Sequence, residues 1–239
     1  MTKPKPSLSG KTGHLDMIAK PPIINCASRR EVLLATRSIQ TCYRDVRDQI
    51  PHGALLLYRG RWWRPADRLI MAYGRSPYVH SAMAAVVDMA IVGRLKHLEV
   101  VQCGRRKDRV RYLSNVIAQH PGRIDVYEPR PTVAYACGCS YNPNLAAAEM
   151  YSLCYSARYG WWDIFRMARW MVPGRRLFLA PDTDDTLQAL PWYICTAASS
   201  HCYQTGGMDP VPNLATRSTG PGDLSRSLFF KKLFERLIP

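Results

Sequence analysis

No apolar run in the chain approaches the roughly 20 residues that a membrane span needs. The longest candidates, around Ala82–Ala90 and Leu177–Ala180, are broken or too short. The opening "MTKPKPSLSGKTGHLDMIAKPP" is basic but has no apolar core behind its lysines, so it does not read as a secretory signal. The expectation is a protein synthesised in the cytoplasm without a signal peptide. There is no internal repeat. Acidic residues are few, 18 against 33 Lys and Arg. Metal-ligand spacing is also missing: Cys137 and Cys139 of "ACGCS" have no second C-x-C or C-x-x-C, and no H-x-x-x-H, to complete a four-ligand set. Neither a metal nor a cofactor is expected. The chain has eight cysteines, which in a chain without a signal read as reduced thiols, buried or catalytic, rather than as a disulfide framework.

What is present is ordinary globular material. The 239 residues, 47% hydrophobic and 21% charged, suffice for one sizeable domain or two small ones. The net charge of +15 suits a polyanionic contact such as nucleic acid, an anionic lipid surface or an acidic wall polymer, and equally suits simple solubility. The basic residues are scattered, with short clusters at "RRKDRVR" and "KKLFER". No nucleic-acid motif accompanies them, so specific nucleic-acid binding is not expected.

Residues 1–27 are rich in Pro, Lys, Ser and Gly without periodicity and read as an extended or disordered arm. "SRREVLLATRSIQTCYRDVRDQI", residues 28–50, has apolar positions at helical spacing, Ser28 as N-cap and Pro51 as terminator. "HGALLLYRG" reads as a buried strand and "RWWRPADRLIMAYGR" as a helix. "YVHSAMAAVV" favours a strand, with "HLEVVQC" and "RIDVYEP" as further strands and "RVRYLSNVIAQHPG" as a short helix. "NPNLAAAEMYSLCYSARYG" reads as a helix capped by Asn144, and "WWDIFRMARWMV" as another. The loop "PGRRLFLAPDTDDTLQALP" leads to "WYICTAASSHCYQTGG", and "DLSRSLFFKKLFERLI" reads as a final basic amphipathic helix. The sum is a mixed α+β domain, a small antiparallel sheet packed against helices.

Two cysteines on the "CTAASSHC" helix invite chemistry. Cys195 at the helix start would gain partial positive charge and backbone N–H groups, both of which favour the thiolate. Cys202, two turns on, suits packing, the usual fate of a cysteine on an apolar helix. A base must come from the six histidines. His14 lies in the arm, His120 in a Pro-Gly turn, His52 and His97 precede strands, and His201 faces away from Cys195 on the same helix. His80 lies inside an apolar strand, where a histidine is ordinarily a satisfied core residue but where a rigid element could also hold an imidazole against a helix N-terminus.

These segments together resemble the circularly permuted branch of the NlpC-type papain-like cysteine peptidases, the YiiX/YaeF-like group, over residues 50–228. "YVHSAMAAV" is similar to the histidine strand, "CTAASSHCYQTGG" to the cysteine helix, "ARYGWWDIF" to the Tyr-Gly segment before it and "PGDLSRS" to the closing Pro-x-Asp-Leu-x-x-Ser signature. The resemblance implies a permuted papain-like domain over 51–228, with the arm at 1–27, the N-terminal helix at 28–50 and the end of the C-terminal helix at 229–239. It implies Cys195 as nucleophile, His80 as general base and acid, and a third polar residue orienting the imidazole: Gln102, with Glu99 as alternative. Those two lie on opposite faces of a regular strand, so one alone can point at His80. The sequence departs from the family pattern at Ala54, where an Asp is common.

The implied activity is a cysteine peptidase or amidase that hydrolyses an amide bond through an acyl-enzyme, with a peptide or peptidoglycan stem peptide as substrate. Such an enzyme without a signal would be carried to the wall by a phage particle or a secretion machine, giving a virion-associated or envelope-delivered protein. Two other readings stand beside it. One is a lipid-directed acyltransferase or hydrolase, contacting an anionic surface or membrane through the C-terminal helix. The other is a non-enzymatic virion-type component whose arm reaches subunits of a larger assembly.

Overall fold

The computed structural model describes residues 40–87, 97–102, 109–136, 138, 140–156, 158–159, 192–212 and 214–239. The arm, most of the helix expected at 28–50, Cys103, Cys137, Cys139, the "WWDIFRMARWMV" segment and the loop after it lie outside the described residues.

The chain runs through β1 (Thr41–Cys42), α1 (Tyr43–Val46), β2 (Ala54–Arg59), α2 (Pro65–Gly74), β3 (Tyr78–Val87), β4 (His97–Val101), β5 (Val110–Tyr112), α3 (Leu113–Gln119) and β6 (Ile124–Pro129). It continues through α4 (Pro131–Ala136), α5 (Pro143–Ser156), β7 (Arg158–Tyr159), β8 (Trp192–Tyr193), α6 (Cys195–Thr205), α7 (Pro221–Arg226), β9 (Phe230–Phe234) and β10 (Leu237–Ile238). This is an α+β protein. Its principal sheet has six strands in the order β5-β4-β3-β2-β6-β9, antiparallel throughout.

Period-two alternation explains why β2 and β3 read as nearly unbroken apolar runs: both sheet faces are covered. Leu55, Leu57, Met83 and Ala85 share a core with Ala147, Met150 and Leu153 of α5 and with Ala197, Ala198 and Cys202 of α6. The alternate residues Ala54, Leu56, Ala82 and Ala84 face a second core built from Leu113, Val116 and Ile117 of α3, with Val46, Ile50 and Leu237. Each face buries branched and aromatic side chains at about 25 cal/mol per Å², which is where most of the stability resides.

Four expectations differ. The C-terminal segment is not one amphipathic helix: α7 ends at Arg226, and Phe230–Phe234 adds β9 to the free edge of β6. Of the residues at helical spacing, Phe229 and Leu237 are buried but Leu228 is 75% exposed. The open backbone groups of β6 and the Asp125 carboxylate, which accepts from the Arg236 N–H at 3.0 Å, outweigh local helix preference. At the other end, Thr41–Cys42 pairs parallel with Leu237–Ile238 instead of continuing a helix, and a short α1 and a 3₁₀ turn at Arg47–Gln49 follow. The α5 cap is Asn142, whose Oδ1 accepts from the N–H groups of Asn144 and Leu145 at 3.0 and 3.3 Å, not Asn144. The "RVRYLSNVIAQ" stretch is likewise divided, into β5 and α3.

The feature that creates a site is a divergence in the sheet. β3 pairs with β2 down to Tyr78, but β4 pairs with β3 only between Val87 and Met83. One edge of Tyr78–Ala82 is therefore not covered by β4. The start of α6 meets that edge, where Ser81 Oγ lies 2.8 Å from Ser199 Oγ.

Candidate active site

Cys195 is the first residue of α6, and Ile194 before it is extended, so the chain turns into the helix at the sulfur itself. The Cys195 sulfur accepts from the backbone N–H groups of Ser81 and Thr196 and is hydrogen-bonded to His80. The Ser81 amide lies on the strand edge that the divergence of β4 leaves open; the Thr196 amide is one of the unpaired donors of a helix start. The two donors reach the sulfur from different elements, so its position depends on how α6 seats on β3.

His80 holds the other end. Its Nε2 lies 2.7 Å from Gln102 Oε1. Since an amide oxygen only accepts, Nε2 carries the proton, and Nδ1 is the nitrogen left for the sulfur. Gln102 directly follows β4, and the register Met83↔Val101 puts Ala82 opposite Gln102, so Gln102 and His80 share a parity. Glu99 has the other parity, sits opposite Ala85, and accepts from Tyr151 Oη at 2.6 Å on the α5 side. The structure thus joins Cys195, His80 and Gln102 and leaves Glu99 apart.

Electrostatics follow this geometry. Burial pushes the Cys195 thiol up, but the His80 charge, the hydrogen bond to His80 and the two N–H donors outweigh it and hold the thiol below its ordinary value. Burial pushes His80 down, yet the Cys195 charge and the hydrogen bonds to Cys195 and Gln102 raise it above its ordinary value. Both shifts favour a thiolate–imidazolium pair. Cys202 is the opposite case. It is packed against Met150, with Sγ to Sδ at 3.9 Å, and burial drives its thiol well above the usual range. His201 pairs with Glu149 at 3.3 Å, away from Cys195, and His52 Nδ1 accepts from the Val86 N–H at 3.0 Å.

The remaining quoted motifs do structural work. Arg158–Tyr159 pairs parallel with Trp192–Tyr193, which brings the Tyr159 segment alongside the strand that enters Cys195. In "PGDLSRS", Asp223 Oδ2 accepts from the Gly220 N–H at 2.9 Å, and Arg226 reaches both Asp223 and the Gly74 carbonyl. A Cβ at Gly222 would meet the Gly74 oxygen at 2.3 Å, so close packing of α7 on α2 needs that glycine.

Sequence reasoning missed several neighbours of the pair. Ser81 and Ser199 carry no motif. Tyr58 stands opposite His80 in the β2–β3 register, with ring centroids 5.0 Å apart. His120, set aside in its turn, also meets Tyr58, with ring centroids 5.9 Å apart. Counting alternation from His80 across a predicted hairpin could have found Tyr58; nothing local marks His120. Among the described residues no group of three His, Cys, Asp or Glu could hold a metal ion. No protein-family model matches the chain, and no curated protein matches it either.

Proposed function

We propose that the chain is a cysteine peptidase or amidase of permuted papain-like, NlpC-type architecture. The observation that carries the reading is the continuous string Cys195–His80–Gln102 at the start of α6. It is supported by the order of its parts, with the histidine strand upstream of the cysteine helix as in the family that the sequence resembles.

In this reading the Cys195 thiolate attacks the carbonyl carbon of the substrate amide. The sulfur–carbon bond forms as the carbonyl π pair moves to oxygen, and the backbone N–H of Cys195 at the α6 N-terminus serves the developing oxyanion. Collapse breaks the carbon–nitrogen bond while His80 Nδ1–H delivers its proton to the leaving amine. His80, now neutral, takes a proton from water as the hydroxyl attacks the thioester. The acid departs, and the proton on His80 restores the pair with the thiolate. Gln102 keeps the ring in the tautomer that leaves Nδ1 facing sulfur throughout, through a neutral bond that stabilises imidazolium less than a carboxylate would.

The substrate class proposed is the peptidoglycan stem peptide, with delivery to the wall by a phage particle or secretion machine. The test is incubation with purified peptidoglycan or muropeptides and chromatography of the products. New amine and carboxyl termini that disappear in Cys195→Ala support the reading; equal product from that variant removes it. The lipid-directed alternative loses its original support, because the segment expected to lie on a surface forms β9 and β10.

A further inference from the structure

Tyr58 touches the reacting imidazole through its ring alone. In the β2–β3 register it stands opposite His80, and in the β2–β6 register opposite Ile124, so the three side chains form one row across a sheet face. Ile124 is fully buried and Tyr58 is 7% exposed, which leaves the ring little room to turn. The Tyr58 and His80 ring centroids are 5.0 Å apart with their planes at 64°, an edge-to-face approach. The His120 ring meets Tyr58 in the same manner, at 5.9 Å and 80°. The Tyr58 hydroxyl, by contrast, is buried without a hydrogen-bond partner.

His80 has need of such a contact. Both of its nitrogens are taken: Nε2 lies 2.7 Å from Gln102 Oε1, and Nδ1 faces the Cys195 sulfur. The bond to sulfur is given up whenever Nδ1 passes its proton on, and one bond to a neutral amide then holds a ring whose charge must be restored. The groups that face His80 are Cys195 from α6, Gln102 from the end of β4 and Tyr58 from β2, with His120 beyond Tyr58. Gln102 brings no charge, and Glu99 is engaged by Tyr151 on the α5 side. Burial first, and then the charges around it, hold the His120 imidazole below its ordinary value, so it does not compete for the proton. An aromatic ring whose centroid lies within about 6 Å of a cation favours that cation by about 2–30-fold.

We infer that Tyr58 is a positioning residue for His80, an aromatic wall that keeps the imidazole at the sulfur and favours its charged form. The wall does part of what a carboxylate partner would do, through the ring quadrupole and without a formal charge. Its consequence for turnover rests on the peptidase reading above; its effect on His80 does not.

The experiment uses the full-length protein without substrate. The His80 ring protons are followed by NMR against pH in the unsubstituted protein, Tyr58→Phe and Tyr58→Leu, with His80→Gln to assign the signals. In the unsubstituted protein these signals should be displaced by the Tyr58 ring current. Tyr58→Leu should remove the displacement and lower the proton affinity of His80 by about 2–30-fold, moving its midpoint to lower pH. Tyr58→Phe keeps the ring and discards an unpaired hydroxyl, so it should retain both properties, with an unfolding midpoint unchanged or higher. Pentafluorophenylalanine at position 58 keeps the ring shape but reverses its quadrupole; it should lower the affinity as Leu does, and it carries the test where Tyr58→Leu does not fold. A residue that merely packs would lower the unfolding midpoint in Tyr58→Leu and leave the His80 midpoint in place. An unmoved His80 midpoint in the fluorinated protein, or a fall in Tyr58→Phe as large as in Tyr58→Leu, overturns the inference whatever the outcome of the muropeptide assay.

Discussion

Ser81 on β3 and Ser199 on α6 meet hydroxyl to hydroxyl at 2.8 Å, both fully buried. Ser199 Oγ also donates to the Cys195 carbonyl at 3.0 Å, so the shared proton comes from Ser81. The bond ties the first turn of the cysteine helix to the residue next to His80. Because the sulfur takes one hydrogen bond from the Ser81 amide and one from the Thr196 amide, this tie fixes the distance on which the pair depends.

Ser199→Ala should therefore destabilise the fold by about 1–3 kcal/mol, the cost of leaving the buried Ser81 hydroxyl unpaired. The double variant Ser81→Ala, Ser199→Ala should cost less than the sum of the single changes, since it removes both partners together. Denaturant unfolding of the four proteins measures the coupling. Costs that add within about 0.3 kcal/mol would show that the two hydroxyls do not interact.

The shifts of Cys195 and His80 make a kinetic prediction. With the thiol held low by His80 and the imidazole held high by the sulfur, thiolate persists below the ordinary cysteine range of about 8.5. Alkylation of Cys195 by iodoacetamide should thus fall little between pH 8 and pH 6, whereas a free thiol slows about tenfold per unit over that span. His80→Ala leaves burial as the dominant influence on the sulfur and should restore a steep decline. Peptide mapping of the labelled cysteines against pH reads this directly. A steep decline in the unsubstituted protein would sink the ion-pair picture.

Gln102→Ala should lower kcat by about 10–100-fold with little change in KM, the usual penalty for losing a group that orients a reacting imidazole. Glu99→Gln should leave turnover of the same muropeptide nearly unchanged, because Glu99 faces Tyr151 across the sheet. Steady-state kinetics of the two variants separate a positioning residue from a distant carboxylate. Equal losses in both would mean that the parity argument fails.

How far the sequence disclosed this arrangement follows from the reach of each signal. The strands carrying His80 and Gln102 were legible because burial on both faces leaves unbroken apolar runs, and the helix start at Cys195 because the small residues of "CTAASS" follow Pro191 and an aromatic-rich pair. Parity along one strand separated Gln102 from Glu99, but which parity faces His80 needed the register Met83↔Val101, a long-range property. The C-terminal segment misled for the same reason: "FKKLFERLI" fits helical spacing, yet the free edge of β6 and the Asp125 carboxylate decide its form. Tyr58 escaped notice and His120 was set aside because neither has a mark of its own until the fold sets Tyr58 against His80 and His120 against Tyr58.

Asp125 is the test case for that long-range control. Its carboxylate is fully buried; it accepts from Arg59 at 3.1 and 2.7 Å, from Tyr78 Oη at 2.5 Å and from the Arg236 N–H at 3.0 Å. Burial alone would raise it, but these hydrogen bonds and the Arg59 charge hold it below the ordinary carboxylate value. A group depressed in the folded state contributes stability that is fully present above its unfolded value, about 3.9, and is lost as pH falls through the folded value. The unsubstituted protein should hold its denaturation midpoint down to about pH 4 on this account and lose stability below it. Asp125→Asn should cost about 3–5 kcal/mol near neutrality, since it leaves Arg59 without its buried partner, and should flatten the acid limb. Because β9 and β10 are held through Arg236 and Lys232, their amides should lose hydrogen-exchange protection first in the variant. Denaturant midpoints at stepped pH and hydrogen exchange of residues 230–238 check both halves. A variant with an unchanged acid limb would show that the carboxylate does not anchor the C-terminal strands.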